Sequence, residues 1–319
     1  MNYEGKKVAV LGGFGFIGLN LIARLIKEGS IISVLDPKQE IPLPSLLQKI
    51  NYQPGDIRDS EKIARILQDQ DVLFNLAGKS GSANSMKDPE LDLEVNCLGT
   101  LTVLEAARKV NPNIKIIFPG SRLEFGKVDK LPVSEDAPMH PTSIYGIHKL
   151  TAEKYHQAYF DNFGLRSTVL RISNPYGPHL QMTNLGYNII NYFFDLATMD
   201  EELKVFGKGE QKRDYLYVDD LIDLFLQLGE DKKSDGQVYN IGLGRGVSLL
   251  QMAETIVAVV GKGHVTQVPW DTNQLKLETG DYISDVSKIK RDMGWEPKNS
   301  PEVGITKTLA AKKDPYWRT

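Results

Sequence analysis

Three side chains in this sequence have the types and spacing for shared proton chemistry. Tyr145 and Lys149 lie four residues apart, just over one helical turn, so both project from one helix face. A phenol with a reference pKa near 10 is no base at neutral pH, and an ammonium beside it favours the phenolate. One unit charge about 4 Å away, at an effective dielectric of about 20, contributes roughly 4 kcal/mol, or about three pK units, before desolvation opposes it. The spacing alone is weak, since Tyr3 and Lys7 share it. Position separates the pairs: only Tyr145 and Lys149 open a helix, starting at Thr142 or Ser143, after a strand that ends in a serine, Ser121.

A second constellation suits an anion. Residues 8–11 are an apolar run, followed by Gly12-Gly13-Phe14-Gly15-Phe16-Ile17-Gly18, an apolar segment at helical spacing stopped by Gly29, and a second apolar run ending in Asp36. This predicts one βαβ unit, whose right-handed crossover starts a parallel sheet. Gly12 supplies the tight turn, Gly15 lets a pyrophosphate approach the backbone, and Gly18 permits close packing of helix on strand. The phosphates would meet the free N–H groups of the first helical turn, around Phe16 and Ile17, at the positive end of the helix dipole. Asp36 is placed to accept hydrogen bonds from an adenosine ribose, and its charge would repel a 2'-phosphate, so NAD is expected rather than NADP. Glycines alone could make an ordinary turn; strand, glycines, helix, strand and terminal Asp in this order make the case.

The rest of the chain positions these groups. Residues 37–44 read as a Pro-rich loop, residues 49–53 as a short third strand, and residues 60–68 as a helix that Asp59 or Ser60 could cap. In a parallel sheet, loops leaving strand ends border the ligand crevice, so Asp56 and Ile57 are expected to flank the adenine. Residues 71–78 form the next strand, whose small end, Leu76-Ala77-Gly78, lets a ligand lie against the backbone. Ser80, Gly81, Ser82 and Asn84 make a polar loop. A long helix over 89–110 carries Asn96, a cofactor candidate, and Cys97, and a strand over 114–118 is closed by Pro119-Gly120-Ser121. Residues 129–141 read as a loop over the crevice and 167–172 as a strand. Beyond Asn174 the alternation fades: residues 203–206 and 213–217 read as a hairpin around Gly207 and Gly209, followed by a helix over 218–228, a strand over 238–241, a helix over 248–260, a strand near 265, and helices near 285 and 301.

Helix and strand alternation predicts an α/β fold, a doubly wound parallel sheet of Rossmann type with a smaller mixed α/β C-terminal lobe. Residues 1–172 are expected to form the cofactor domain, with 215–243 returning to it, and residues 173–319 mainly the substrate lobe. The 319 residues carry a net charge of -3, which gives no electrostatic reason to expect nucleic acid or an anionic membrane as partner. A single cysteine, Cys97, excludes an internal disulfide and a cysteine-based metal cluster, and no metal site is expected. With no signal-peptide pattern and no membrane-length apolar run, the cytoplasm is the default location.

With these residues in place, the chain resembles the extended short-chain dehydrogenase/reductase family, in its nucleotide-sugar epimerase and dehydratase branch. The resemblance rests on Gly12, Gly15 and Gly18; Asp36; Gly55-Asp56-Ile57; Asn75-Leu76-Ala77-Gly78; Ser121; Tyr145 with Lys149; Arg171 with Asn174 and Tyr176-Gly177-Pro178; Arg213-Asp214-Tyr215; and Asn240-Ile241-Gly242. It implies tightly held NAD with Lys149 also touching the cofactor, a nucleotide-diphosphate sugar in the C-terminal lobe, and a homodimer built on helices near 89–110 and 143–163. It implies too that Tyr145 takes the proton of a sugar hydroxyl while hydride leaves the same carbon, with Ser121 bonding the oxygen that becomes a carbonyl. Substrate contacts would come from Ser80, Ser121, Asn174 and Arg213, the last on the pyrophosphate. An epimerase acting at C4 is the leading expectation; a 4-ketosugar reductase and a non-catalytic NAD-binding sensor or scaffold are the alternatives.

Two departures from the branch stand out. Many relatives carry a second phosphate-binding arginine just before a Gly-Asp pair, but Gly280-Asp281 follows Leu277-Glu278-Thr279, with Lys276 as a less bidentate substitute. Dehydratases of the branch place an Asp-Glu pair after the residue equivalent to Ser121; here Arg122 and Leu123 stand there. Glu124 comes one residue late, and along a strand it would point to the other face.

Overall fold

The computed structural model describes residues 2–38, 48–178, 188–270, 275 and 278–313. The first half alternates as β1 (Lys7–Leu11), α1 (Phe16–Lys27), β2 (Ile31–Asp36), β3 (Asn51–Pro54), α2 (Ser60–Leu67) and β4 (Val72–Asn75). Next come α3 (Ser82–Lys87), α4 (Pro89–Leu93), a π turn (Glu94–Leu98), α5 (Gly99–Val110), β5 (Lys115–Ser121), a 3-10 turn (Arg122–Glu124), α6 (Ile144–Phe163) and β6 (Ser167–Ile172). Then follow β7 (Asn174–Tyr176), α7 (Ile189–Thr198), β8 (Glu202–Phe206), β9 (Lys212–Tyr217), α8 (Val218–Glu230), β10 (Val238–Ile241), β11 (Gly246–Ser248), α9 (Leu249–Val260), β12 (His264–Val268), α10 (Ser287–Met293) and α11 (Pro301–Lys313).

Seven parallel strands form the central sheet in the order β10-β6-β5-β4-β1-β2-β3, so the winding reverses between β1 and β4. Both faces are apolar, because strand side chains alternate. Val8, Val10 and Phe74 pack under α1 and α8, while Ala9, Leu11 and Leu73 pack under α2, α5 and α6. The α/β expectation therefore holds, and the mixed lobe holds with it: Phe193, Leu203, Tyr215 and Met252 lie in a separate core. That lobe contains a three-stranded sheet, β11-β9-β7, and a two-stranded one, β12-β8.

Three local expectations change. Residues 203–217 are not a hairpin, since β8 pairs in parallel with β12 while β9 pairs with β7 and β11. Gly207 and Gly209 do have positive φ, but their backbone packs against Trp270 and Leu250, so remote partners decide the pairing. The polar stretch at 80–84 runs into α3, which docks on the start of α6: Ser85 Oγ accepts the Tyr145 N–H at 3.0 Å. The long helix over 89–110 is continuous but contains the π turn, with Asn96 and Cys97 inside it. No helix among the described residues is long and apolar enough to cross a membrane, and no group of three or more His, Cys, Asp or Glu among them is arranged to hold a metal ion.

Candidate active site

The crevice opens where β1 and β4 diverge. Gly12 has φ of +73°, and a Cβ there would sit 2.7 Å from the Ala77 backbone, so the ends of the two strands touch through a glycine. A Cβ at Gly18 would come within 2.5 Å of the Gly13 carbonyl oxygen, which is the close helix packing assigned to it. Gly15 differs: it is exposed, and its Cβ would meet only the Gly12 carbonyl oxygen at 3.4 Å. It is the N-cap of α1 and supplies no side-chain bond, so the first-turn N–H groups, including those of Phe16 and Ile17, are left for another acceptor. This cradle fits a dinucleotide pyrophosphate.

Asp36 lies buried at the end of β2, accepting the Phe14 N–H at 2.9 Å and the Lys38 N–H at 3.0 Å. It therefore braces the glycine loop while presenting a carboxylate where a ribose would lie. Asp56 is paired with Arg58, which holds its carboxyl below the usual range, and Ile57 packs against Gly99 of α5. Leu76 extends the β1–β4 ladder through its N–H to Leu11, and Gly78 abuts Asn96, whose Oδ1 would be 2.8 Å from a Cβ there. Asn96 uses both ends of its amide on the Lys79 backbone, each at 3.1 Å, so it shapes the Gly78–Lys79 loop rather than presenting a free amide. Burial pushes the Cys97 thiol up to about 11, which marks a packing residue rather than a nucleophile.

Ser121, Tyr145 and Lys149 come from two elements. Ser121 ends β5, and α6 starts at the Ser143 N-cap, whose side chain accepts the Gly146 N–H. Lys149 is buried with its ammonium 4.2 Å from the Phe118 ring centroid. Burial lowers its pKa to about 8, while Glu124, Asp92 and Cys97 oppose the drop. Beneath Ser121 the chain turns rather than running on, which corrects the strand-based expectation for Glu124. The 3-10 turn folds Glu124 back so that its Oε1 accepts the Ser121 N–H at 2.6 Å. Its carboxyl, also 3.6 Å from Arg171, is pushed well up by burial and by neighbouring Glu153.

Toward the C-terminal lobe, Asn174 Oδ1 is buried without a protein partner. The Ser80 carbonyl accepts the Asn84 amide at 3.2 Å. Arg213 is already engaged: it pairs with Glu278 and donates to the carbonyls of Gly280 and Lys212. Lys276 lies outside the described residues. Two further residues stand out in the structure whose roles the sequence does not reveal. Asn75, at the end of β4, is fully buried with both amide atoms unpartnered, and its place in the Asn75–Gly78 stretch is its sequence signal. Arg122 reaches Thr279, a contact that its place after Ser121 does not foretell.

Comparison with known proteins identifies the family. Residues 8–242 match the NAD dependent epimerase/dehydratase family. A putative UDP-glucose 4-epimerase of Methanocaldococcus jannaschii is 29% identical over 95% of this chain and 97% of its own. The UDP-glucose 4-epimerase of Lactobacillus helveticus is 30% identical over 92% of each chain. Among solved structures, the UDP-glucose 4-epimerase of Thermotoga maritima with UDP-glucose superposes with a TM-score of 0.87 at 31% identity, covering 98% of both chains. The chain therefore belongs to the NAD-dependent epimerase/dehydratase family, whose cofactor is NAD.

Proposed function

We propose that the protein interconverts the C4 epimers of a nucleotide-diphosphate sugar, passing through a 4-keto sugar. NAD supplies the hydride acceptor and donor. Tyr145 takes the hydroxyl proton as C4 is oxidised and returns it as C4 is reduced. Lys149 supplies the positive charge that favours the phenolate, and the Ser121 hydroxyl donates to the sugar oxygen as it becomes a carbonyl. The Ser121 backbone is held for this by Glu124.

The observation that carries epimerisation over dehydration is at residues 122–124. Water loss across C5 and C6 needs an acid and a base beside the sugar, but Arg122 and Leu123 offer neither, and Glu124 is turned under Ser121. A second copy of the chain is the expected partner. Exposed apolar side chains at Leu93, Leu98 and Ile147, each about half accessible at 50%, 51% and 44%, support packing of this helical face against its symmetry mate.

UDP-, dTDP-, GDP- and CDP-sugars incubated with the protein in deuterated water and followed by NMR test the reading. The C4 epimer should form with no deuterium on carbon and without added cofactor. A 6-deoxy product labelled at C5 would make the protein a dehydratase. Turnover only of 4-ketosugars with added NADH would make it a reductase.

A further inference from the structure

The substrate end of the crevice holds two arginines in different electrostatic states. Arg213 has its counter-charge in Glu278 and two backbone carbonyls besides. Arg122 is just as buried, at 9% accessible for each residue. It donates to the neutral Thr279 hydroxyl at 3.3 Å and lies 5.5 Å from the Tyr282 ring centroid. Among the described residues, no carboxylate forms an ion pair with it. Burial first, and then the charge of Arg213, pulls its pKa down to about 10. Tyr215, two residues from Arg213 on β9 and so on the same face of that strand, is 1% accessible and its hydroxyl has no protein partner.

A buried guanidinium with no anion beside it is unfavourable, and two that repel each other are more so. Glu278 already balances one of the two charges, so the cation left for an anionic ligand to neutralise is Arg122. A diphosphate can bridge both and can accept from the Tyr215 hydroxyl as well. The position fits: Arg122 reaches Thr279, and Arg213 donates to the carbonyl of the next residue, Gly280, so both guanidiniums meet one stretch of chain.

We propose that Arg122, reaching across from the end of β5 to Thr279, is the second diphosphate-binding cation of this protein, and that Glu278 weakens the grip by competing for Arg213. This rests on the nucleotide-sugar reading above. Because Arg122 directly follows Ser121, seating the diphosphate bears on the turn that carries the catalytic hydroxyl.

Calorimetric titration of the NAD-loaded protein with UDP, dTDP, GDP and CDP, and then with UDP-glucose and UDP-glucuronate, tests this. Arg122→Gln should weaken the preferred diphosphate about ten- to a hundredfold, the range for a lost charge-assisted bond, with NAD retention unchanged and partial recovery in Arg122→Lys. Glu278→Gln should tighten the same nucleotide and keeps the test usable if Arg122→Gln does not fold. Unchanged diphosphate affinity in Arg122→Gln, or no tightening in Glu278→Gln, overturns the proposal. So does a loss confined to UDP-glucuronate, which would make Arg122 a reader of a sugar carboxylate. If the unmutated protein binds none of these nucleotides or nucleotide sugars, the functional reading falls and takes this inference with it.

Discussion

The two halves of the crevice are built by different means. The end proposed for the cofactor is made of backbone: Gly12, Gly15 and Gly18 lie within one turn and one helix start, and a carboxylate from the next strand braces them. The end proposed for the substrate is made of side chains brought from far apart, with Arg122 on Thr279, Arg213 on Glu278 and Asn174 Oδ1 without a protein partner. The first is closed on itself sterically and offers free N–H groups at one place. The second retains buried polar atoms and an uncompensated cation that only a ligand can relieve. Backbone recognition suits an invariant cofactor, whereas side-chain recognition can be retuned one residue at a time.

The largest expected effect breaks the chemistry where the two ends meet. Tyr145→Phe should bind NAD normally and lower turnover at least about a hundredfold, since a positioned acid-base group contributes about 10²- to 10⁴-fold. Near-normal turnover would remove the phenol from the mechanism.

Next in size is a stability effect confined to the β5–α6 side. His156 is buried against Phe118, both ring nitrogens lack partners, and burial, aided by Lys149, lowers its pKa from 6.5 to about 3. Below pH 6.5 the unfolded chain takes up a proton that the folded one refuses, so stability falls as pH drops through 6.5 toward 3. At pH 5 this amounts to about 2 kcal/mol. Urea unfolding of His156→Leu and the parent at pH 7.5 and pH 5 should show the variant gaining on the parent at the lower pH. A constant difference between them would mean that the imidazole is charged in the fold.

The smallest effect sharpens the cofactor side. Asp36→Ala should weaken NAD about tenfold and admit NADP, because the repelling carboxylate is gone while Lys38, bonded to the Phe14 carbonyl, stays beside the site. Equal binding of NAD and NADP by the unmutated protein would contradict the role given to Asp36.

Legibility in the sequence follows the same division. The glycine loop, Asp36 and the Tyr145–Lys149 pair are local patterns, read at one or two helical turns, and the sheet's alternation is equally local. The β8–β9 hairpin failed because two turn glycines look alike whether the flanking strands pair with each other or with β12 and β7. Glu124 was misplaced because a strand's alternation was carried one turn too far, through residues that form a 3-10 turn. Arg122 and Glu278 could be seen as departures but not interpreted, since the sequence does not say which residue of the 270s faces the end of β5.

Strand β10 has a consequence for the order in which the chain becomes a protein. It covers the edge of β6, yet it is made only after the strands of the second lobe, β7 to β9. Until then the nascent sheet ends in Val169 and Leu170 with unpaired backbone groups, an open template for another chain. Asp214, buried on β9, closes the assembly by accepting the N–H groups of Leu243, Gly244 and Ser284. A chain cut short before β10 would therefore leave the β6 edge open even with every preceding strand in place.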